Sequence, residues 1–278
     1  MKLHLLTILF LCFGSLNSFC QDNEQMVSDR PGQTNSTFTL ESGDAQIQVG
    51  KTHGLISYSN SIFHFSQESS KIQEAVIRFG LGKGFEINLG VAHLESEYTY
   101  IYNPGFTNPQ ASINSTEAFS DLSIGVRKSV VHQEKLVPNI SVMAVLNRPT
   151  WISEFKPEDI KKHTIAALFS WDIAQGFMFS SNLILQKQDE EYDQYFTANL
   201  SWTKHKYTVF TEVFGPIING GTQHGINAGA GFFVLPNLLL DLSFGNSVWW
   251  DDSQQFASIG ASFKLPGKKK TSETPNKK

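Results

Sequence analysis

From Ala45 almost to the C-terminus the chain alternates apolar and polar residues with a period of two, and few architectures accept that pattern over most of 278 residues. In a strand successive side chains point to opposite faces, so a sheet that is greasy on one side and wet on the other reads this way. "QFASIGASFKL" sets Ala257, Ile259, Ala261, Phe263 and Leu265 against Ser258, Gly260, Ser262 and Lys264. "HGINAGAGFFV" repeats the split, with Ile226, Ala228, Ala230, Phe232 and Val234 opposite Gly225, Asn227, Gly229 and Gly231. "NLLLDLSFG" divides into Leu238, Leu240, Leu242 and Phe244 against Leu239, Asp241, Ser243 and Gly245. About twelve such segments of about ten residues are present, close to the ~9–11 residues of a tilted strand that crosses a bilayer. Their approximate spans are 44–56, 61–81, 84–97, 117–130, 136–148, 162–174, 177–188, 191–203, 205–215, 222–234, 237–246 and 254–264. The pattern predicts an all-β chain: one antiparallel up-and-down transmembrane barrel of about twelve strands.

The connections agree. Every second one is short: around Lys83, around Gln133, Ala174 to Gly176, around Lys204, and Leu235 to Asn237. Most of those between are longer or carry Gly and Pro, as in Glu95 to Glu117 and Asn147 to Lys161. Membrane barrels alternate short periplasmic turns with longer outside loops in this way. On the face assigned outward, Phe79, Phe85, Trp171, Phe177, Trp202, Tyr207, Phe232 and Phe263 fall beside the short turns or the last strand's end. Aromatic rings favour the headgroup region, so they mark a girdle at one rim. A β-sandwich has no reason to gather its aromatics beside alternate turns.

Residues 1–20 have the parts of a secretory signal: Lys2, the apolar run Leu5 to Phe13, then Ser18-Phe19-Cys20. Cleavage is expected after Cys20; a lipoprotein acylated there is the rival reading, which bulky Phe19 opposes. Both cysteines, Cys12 and Cys20, lie inside that signal, so the exported chain has no disulfide or thiolate site. Losing Lys2 leaves 21 basic residues against 26 acidic, a net charge of −5, the wrong sign for a nucleic-acid binder. Residues 21–43 form a polar leader, 44–265 the barrel, and 266–278 a basic tail that reads as solvated and disordered.

In the same register Arg78, Glu86, Asp121, Arg127, Asp172, Glu212, Asp241 and Lys264 point inward. A charge on the lipid side costs up to ~2–4 kcal/mol at the midplane, and a wet or paired interior tolerates it. Eight strands leave an interior filled by side chains and sixteen an open channel, so about twelve implies a narrow lumen. Two roles are open for these charges: a salt-bridged plug that stiffens the barrel, or a selectivity ring for a permeating solute.

The leader "SDRPGQTNSTFTLESGDAQIQVG", together with "IRFGLGKGFEINLG", "DLSIGVRKS", "YTVFTEVFG" and "LLLDLSFG", resembles the family of outer-membrane transporters named after the meta-cleavage pathway of phenol degradation. The similarity runs from Ser28 to Leu265, and its most specific parts are Asp29-Arg30-Pro31, Arg78 with Gly80-Leu81, Glu86, Asp121 and Glu212. The resemblance implies a bacterial outer-membrane barrel that passes small, aromatic or otherwise apolar compounds. One departure is that the chain runs fifteen residues past Phe263, whereas such barrels commonly end on an aromatic read by the barrel assembly machinery. The leader has no apolar period and cannot lie in lipid, where its backbone would go unpaired. It belongs in the periplasm or tucked into the lumen mouth as a plug of Asp29, Arg30 and Pro31, with Arg30 meeting Glu86 or Asp121.

No Gly-x-Ser-x-Gly elbow or His-Glu-x-x-His helix is present, and His53, His64, His93, His132, His163, His205 and His224 are scattered, mostly at turns and loops. No catalytic residue, cofactor or metal set is expected. Gly80, Gly82 and Gly84 read as turn residues, since no helix pattern follows them. A channel or transporter for small solutes is the leading expectation; the alternatives are a structural or ligand-binding barrel, with the Tyr98, Tyr100, Tyr102 and Phe106 loop as its grip, and a lipid-modifying enzyme. The expected partners are the bilayer, the assembly machinery and a solute the sequence does not name.

Overall fold

Each alternating segment becomes a strand. In the computed structural model these are β1 (Ala45–Asn60), β2 (His64–Gly82), β3 (Phe85–Tyr102), β4 (Gln110–Val131), β5 (Asn139–Arg148) and β6 (Lys162–Ala174). The other six are β7 (Phe177–Gln188), β8 (Glu191–Lys204), β9 (Tyr207–Pro216), β10 (His224–Leu235), β11 (Leu238–Trp249) and β12 (Asp252–Leu265). The structure describes residues 26–30, 32–60, 64–102, 110–148, 162–188, 191–217, 224–249 and 252–267. The signal at 1–20, most of the tail, Pro31 and Phe106 lie outside these residues.

Every strand pairs antiparallel with its sequence neighbours, and β1 closes on β12 from Ala45↔Leu265 to Ser57↔Ser253. Closure pairs the ladder all the way round and leaves no edge, which is what a strand-built object needs inside hydrocarbon. The ends at Ala45 and Leu265 share one rim with the turns after β2, β4, β6, β8 and β10. Left-handed backbone at Gly82, Lys83 and Gly84, at Gly176 and at His205 makes three of those turns tight.

The packing is inside out. Exposed large apolar side chains such as Ile77, Leu89, Ile124, Val126, Leu183, Val213, Leu240 and Ile259 cover the outer wall. The most deeply buried side chains are largely polar or charged, Gln46, Arg78, Glu86, Arg127, Ser141, Asn182, Glu212 and Asn227 among them, and all face the lumen. At the short-turn rim the outward aromatics pair in space: Phe177 with Trp202 at 6.2 Å, Tyr207 with Phe232 at 5.3 Å, and Trp171 with Phe179 at 5.8 Å between ring centroids.

Two features differ from the sequence expectation. The segment Glu95 to Glu117, read as a loop, is mostly hairpin, because Tyr98-Thr99-Tyr100-Ile101-Tyr102 consists of good strand formers; only residues 103–109 separate β3 from β4. The strand pair β3/β4 also contains a bulge: Val91 pairs with Leu122 and Ala92 with Ser120, so Asp121 is the extra residue. Regular alternation, on which its inward assignment rested, breaks at that residue, and its side chain lies outside those described.

Candidate functional site in the lumen

The leader enters at the short-turn rim, where buried Met26 packs with Phe233 and Leu239 and its amide donates to Pro236 O at 3.2 Å. Ser28 then meets Ser262 (2.8 Å) and Gln48 (3.1 Å) on the inner faces of β12 and β1. Beyond Arg30 the chain crosses to β9 and β8, sweeps past β6 and β5, and returns along β4, β3 and β2 to the start of β1. Hydrogen bonds mark the path: Thr34 Oγ1 to Thr197 Oγ1 at 2.8 Å, Thr37 Oγ1 with Ser170 Oγ at 2.6 Å, and Leu40 N to Glu86 Oε2 at 3.0 Å. Asp29 Oδ1 accepts the Ser36 amide at 2.7 Å and so closes residues 29–36 into a compact loop across the lumen.

On one side the loop is held by ion pairs. Arg78 spans Glu86 with two bonds of 2.7 and 2.8 Å and donates to Gln46 Oε1 and to the Phe38 carbonyl, both at 3.0 Å. Arg127 Nη2 reaches Asp29 Oδ2 at 2.8 Å, and Arg78 Nη1 lies 3.4 Å from the same oxygen. Burial alone would raise the Asp29 pKa, but the Arg127 and Arg78 charges with the Arg127 and Ser36 hydrogen bonds outweigh it and bring it from 3.8 to about 2.

Arg30 occupies a slot on the neighbouring strands β1 and β12. Gly50 and Gly260 are cross-strand partners, and a Cβ on either would overlap the guanidinium, so the pair of glycines makes the bed in which it lies. Its donors go to Glu74, to Ser258 Oγ at 2.8 Å, to the Ile259 carbonyl at 3.2 Å and to Asp241 at 3.4 Å. Arg30 therefore pairs with Glu74 and Asp241 rather than with Glu86, because Glu86 is already committed to Arg78. Glu212 acts on backbone: its two oxygens accept the Gln33 and Thr34 amides at 2.8 and 2.7 Å, beside Gly32, where a Cβ would crowd the carboxylate.

The remaining assigned residues lie at the short-turn rim. Lys264 Nζ pairs with Asp44 Oδ2 at 2.8 Å. Asp172 is exposed next to the β6–β7 turn, its backbone tied to Gln133, and it lines the cavity there without joining the charge cluster. Gly80, read as a turn residue, lies in the last residues of β2 and gives clearance to the returning leader, where a Cβ would strike the Glu41 carbonyl. Outside the barrel, His93, Glu95 and Glu117 bring ligand-type atoms within 4.8 Å of one another, with Lys71 3.6 Å from Glu95 as counter-ion.

Sequence reasoning passed over an aromatic strip. Phe210 and Phe214 on β9 and Phe256 on β12 point inward, and each ring lies over a glycine of a paired strand: Gly229, Gly225 and Gly245 respectively. The signal was present in "YTVFTEVFG", where Phe210 and Phe214 share the phase of Glu212. The loop divides the lumen into an outer cavity of about 460 Å³ and an inner one, on the short-turn side, of about 640 Å³. Asp29, Arg30, Gly32 and Asn35 line both, so the leader is the partition between them.

A closed cylinder with an apolar outer wall, an aromatic rim and a polar, partly filled interior defines a membrane β-barrel protein. No family model and no curated protein matches the chain. Solved structures match in fold. An outer-membrane channel from Pseudomonas putida F1 is 10% identical with a TM-score of 0.59, covering 86% of this chain and 100% of that one. The transport unit of the autotransporter AIDA-I from Escherichia coli (12% identity, TM-score 0.51) covers 86% of this chain and 92% of its own. The KdgM porin in complex with disordered oligogalacturonate (9%, 0.51) covers 79% and 99%. The architecture is thus that of outer-membrane barrels.

Proposed function

We propose that this chain is an outer-membrane channel for the passive passage of small solutes, apolar or aromatic ones among them, with leader residues 26–40 as its constriction. The short-turn rim then faces the periplasm and the long-loop rim the outside. The observation that carries the reading is the loop closed by Asp29 and Ser36, fixed to both walls between two cavities. A barrel serving only as a scaffold has no need for a polar segment threaded through its lumen, nor for an aromatic strip running beside it. The class of the structural neighbours and the motif resemblance support the same role.

Single-channel recording in planar bilayers tests it. The full chain is expected to show a small conductance, and deletion of residues 22–40 a severalfold larger one. Arg30→Ala, which leaves the chain length intact, should raise conductance less. Equal conductance in all three, with each barrel correctly assembled, would overturn the constriction; no current and no liposome swelling from any of them would overturn the channel.

A further inference from the structure

The outer cavity presents an unequal set of charges to whatever enters it. Three guanidinium groups form its floor, yet the side chains of Arg30, Arg78 and Arg127 are only 9, 2 and 1% exposed, and each is engaged by carboxylates. Glu74 beside them is 41% exposed. Arg30 engages Glu74 through Oε1, so a solute meets the exposed remainder of that carboxylate, while the cationic donors are covered. Above that floor the walls set apolar groups, Ile72 and Val76 on β2, Val145 on β5 and the Phe256 ring, which contacts Phe214 at 6.4 Å between centroids, among neutral polar ones such as Thr52, Asn88 and Ser123. Glu74 and Phe256 lie on either side of Thr52 of β1, which pairs with Ile72 and with Ser258.

We propose that this cavity binds small organic cations with an apolar body, an amine or quaternary ammonium carried on a ring or short hydrocarbon, with Glu74 as counter-charge and Phe256 as the apolar face. The proposal rests on the channel reading and names the solute class of the same lumen. Aromatic faces attract cations within about 6 Å of the ring centroid, and more strongly where water is displaced. An anion of the same shape would approach Glu74 with no exposed cation to offset the repulsion. A neutral ring would strip water from the Glu74 carboxylate and return nothing, which carries a desolvation cost.

The test uses three probes of one shape, benzyltrimethylammonium, benzyl alcohol and benzoate, added from the long-loop side of single channels. Block by benzyltrimethylammonium is expected at concentrations about tenfold or more below those of the other two, a factor equivalent to about 1.4 kcal/mol. Glu74→Gln should remove that preference and Glu74→Asp restore most of it. Phe256→Leu should weaken benzyltrimethylammonium more than tetramethylammonium, which has no apolar body to lay on the ring. Calorimetric titration of the same probes into detergent-solubilised protein reads the site without requiring conduction, so a barrel that binds the cation but passes no current would sink the channel reading and leave the site standing. Benzoate blocking and binding as well as the cation, or full preference surviving in Glu74→Gln, would overturn the proposal.

Discussion

The two walls of the lumen are built by opposite means. Along β2–β4 the interior consists of long charged side chains, Arg78, Glu86 and Arg127, whose donors and acceptors are met by one another and by the leader's Asp29, Phe38 and Leu40. Along β9–β12 glycines lie under rings, and two acids reach the leader, Glu212 through two backbone amides and Asp241 through Arg30. The first wall grips by charge-assisted bonds, roughly twice as strong as neutral ones, and loses heavily if one partner goes. The second holds the leader mainly through hydroxyls and backbone amides, Arg30 excepted, and leaves apolar ring surface facing the cavities. A leader attached in this way should loosen first from β8 and β9 and last from β2–β4.

The largest effect should follow from breaking the charged wall. Arg78→Ala leaves Glu86 buried without its principal cation and is expected to cost about 3–5 kcal/mol, the range for removing one partner of a buried pair. Urea unfolding in lipid bilayers, read by tryptophan fluorescence, measures it. Phe210→Ala on the other wall removes a half-buried ring with cavity on one side, and should cost less than the ~3–5 kcal/mol of a fully buried phenylalanine. If Phe210→Ala proves the more costly, the comparison of the walls fails. Next in size is Gly260→Val, whose side chain would occupy the Arg30 slot; a rise in single-channel conductance like that of Arg30→Ala is expected, with the barrel's unfolding midpoint nearly unchanged.

The barrel was legible because lipid enforces one rule on the outer wall: every second residue must be apolar wherever the strand crosses. Spans 162–174 and 177–188 coincide with β6 and β7, and the assigned phase holds at Arg78, Glu86, Arg127, Glu212 and Asp241. The inner wall follows no such rule, since a lumen accepts a serine, a glycine or a phenylalanine as long as its neighbours complement it. Phe210 and Gly229 make sense only as a pair across two strands, and Gly50 with Gly260 only when Arg30, from a segment distant in sequence, is laid over them. The partner of Arg30 was misassigned for the same reason: which of several inward acids is free depends on which is already taken, and Arg78 takes Glu86. The bulge at Asp121 has no local sequence signature because it is defined by its partner strand.

A smaller effect addresses the weaker wall. Glu212→Gln keeps the shape and one acceptor: one backbone bond becomes a neutral one, and the other is lost because the new NH2 cannot accept. Losing one bond to a charged group, worth ~1.5–3 kcal/mol, and weakening the other by about 1 kcal/mol sets a loss of about 2–4 kcal/mol in leader attachment. Amide hydrogen exchange should quicken at Gln33 and Thr34 and stay slow at Leu40, whose acceptor is Glu86 on the other wall. Equal acceleration at all three would mean that the leader moves as one piece and that the walls do not differ.

The mildest perturbation is pH, and its sign follows from Asp29. Its folded pKa is depressed from 3.8 to about 2, so its contribution to holding the leader is fully present above about pH 4 and is lost as pH falls towards 2. Conductance and exchange at Ser36, whose amide rests on Asp29, should therefore be flat from neutral pH down to about 5. Both should rise only at lower pH, once Asp29 takes up a proton and Arg127 loses its partner. Asp29→Asn, which cannot ionise, should show the raised values at neutral pH. If the transition instead falls near pH 6, the group that holds the loop is not this carboxylate, and the charged wall is not what secures the leader.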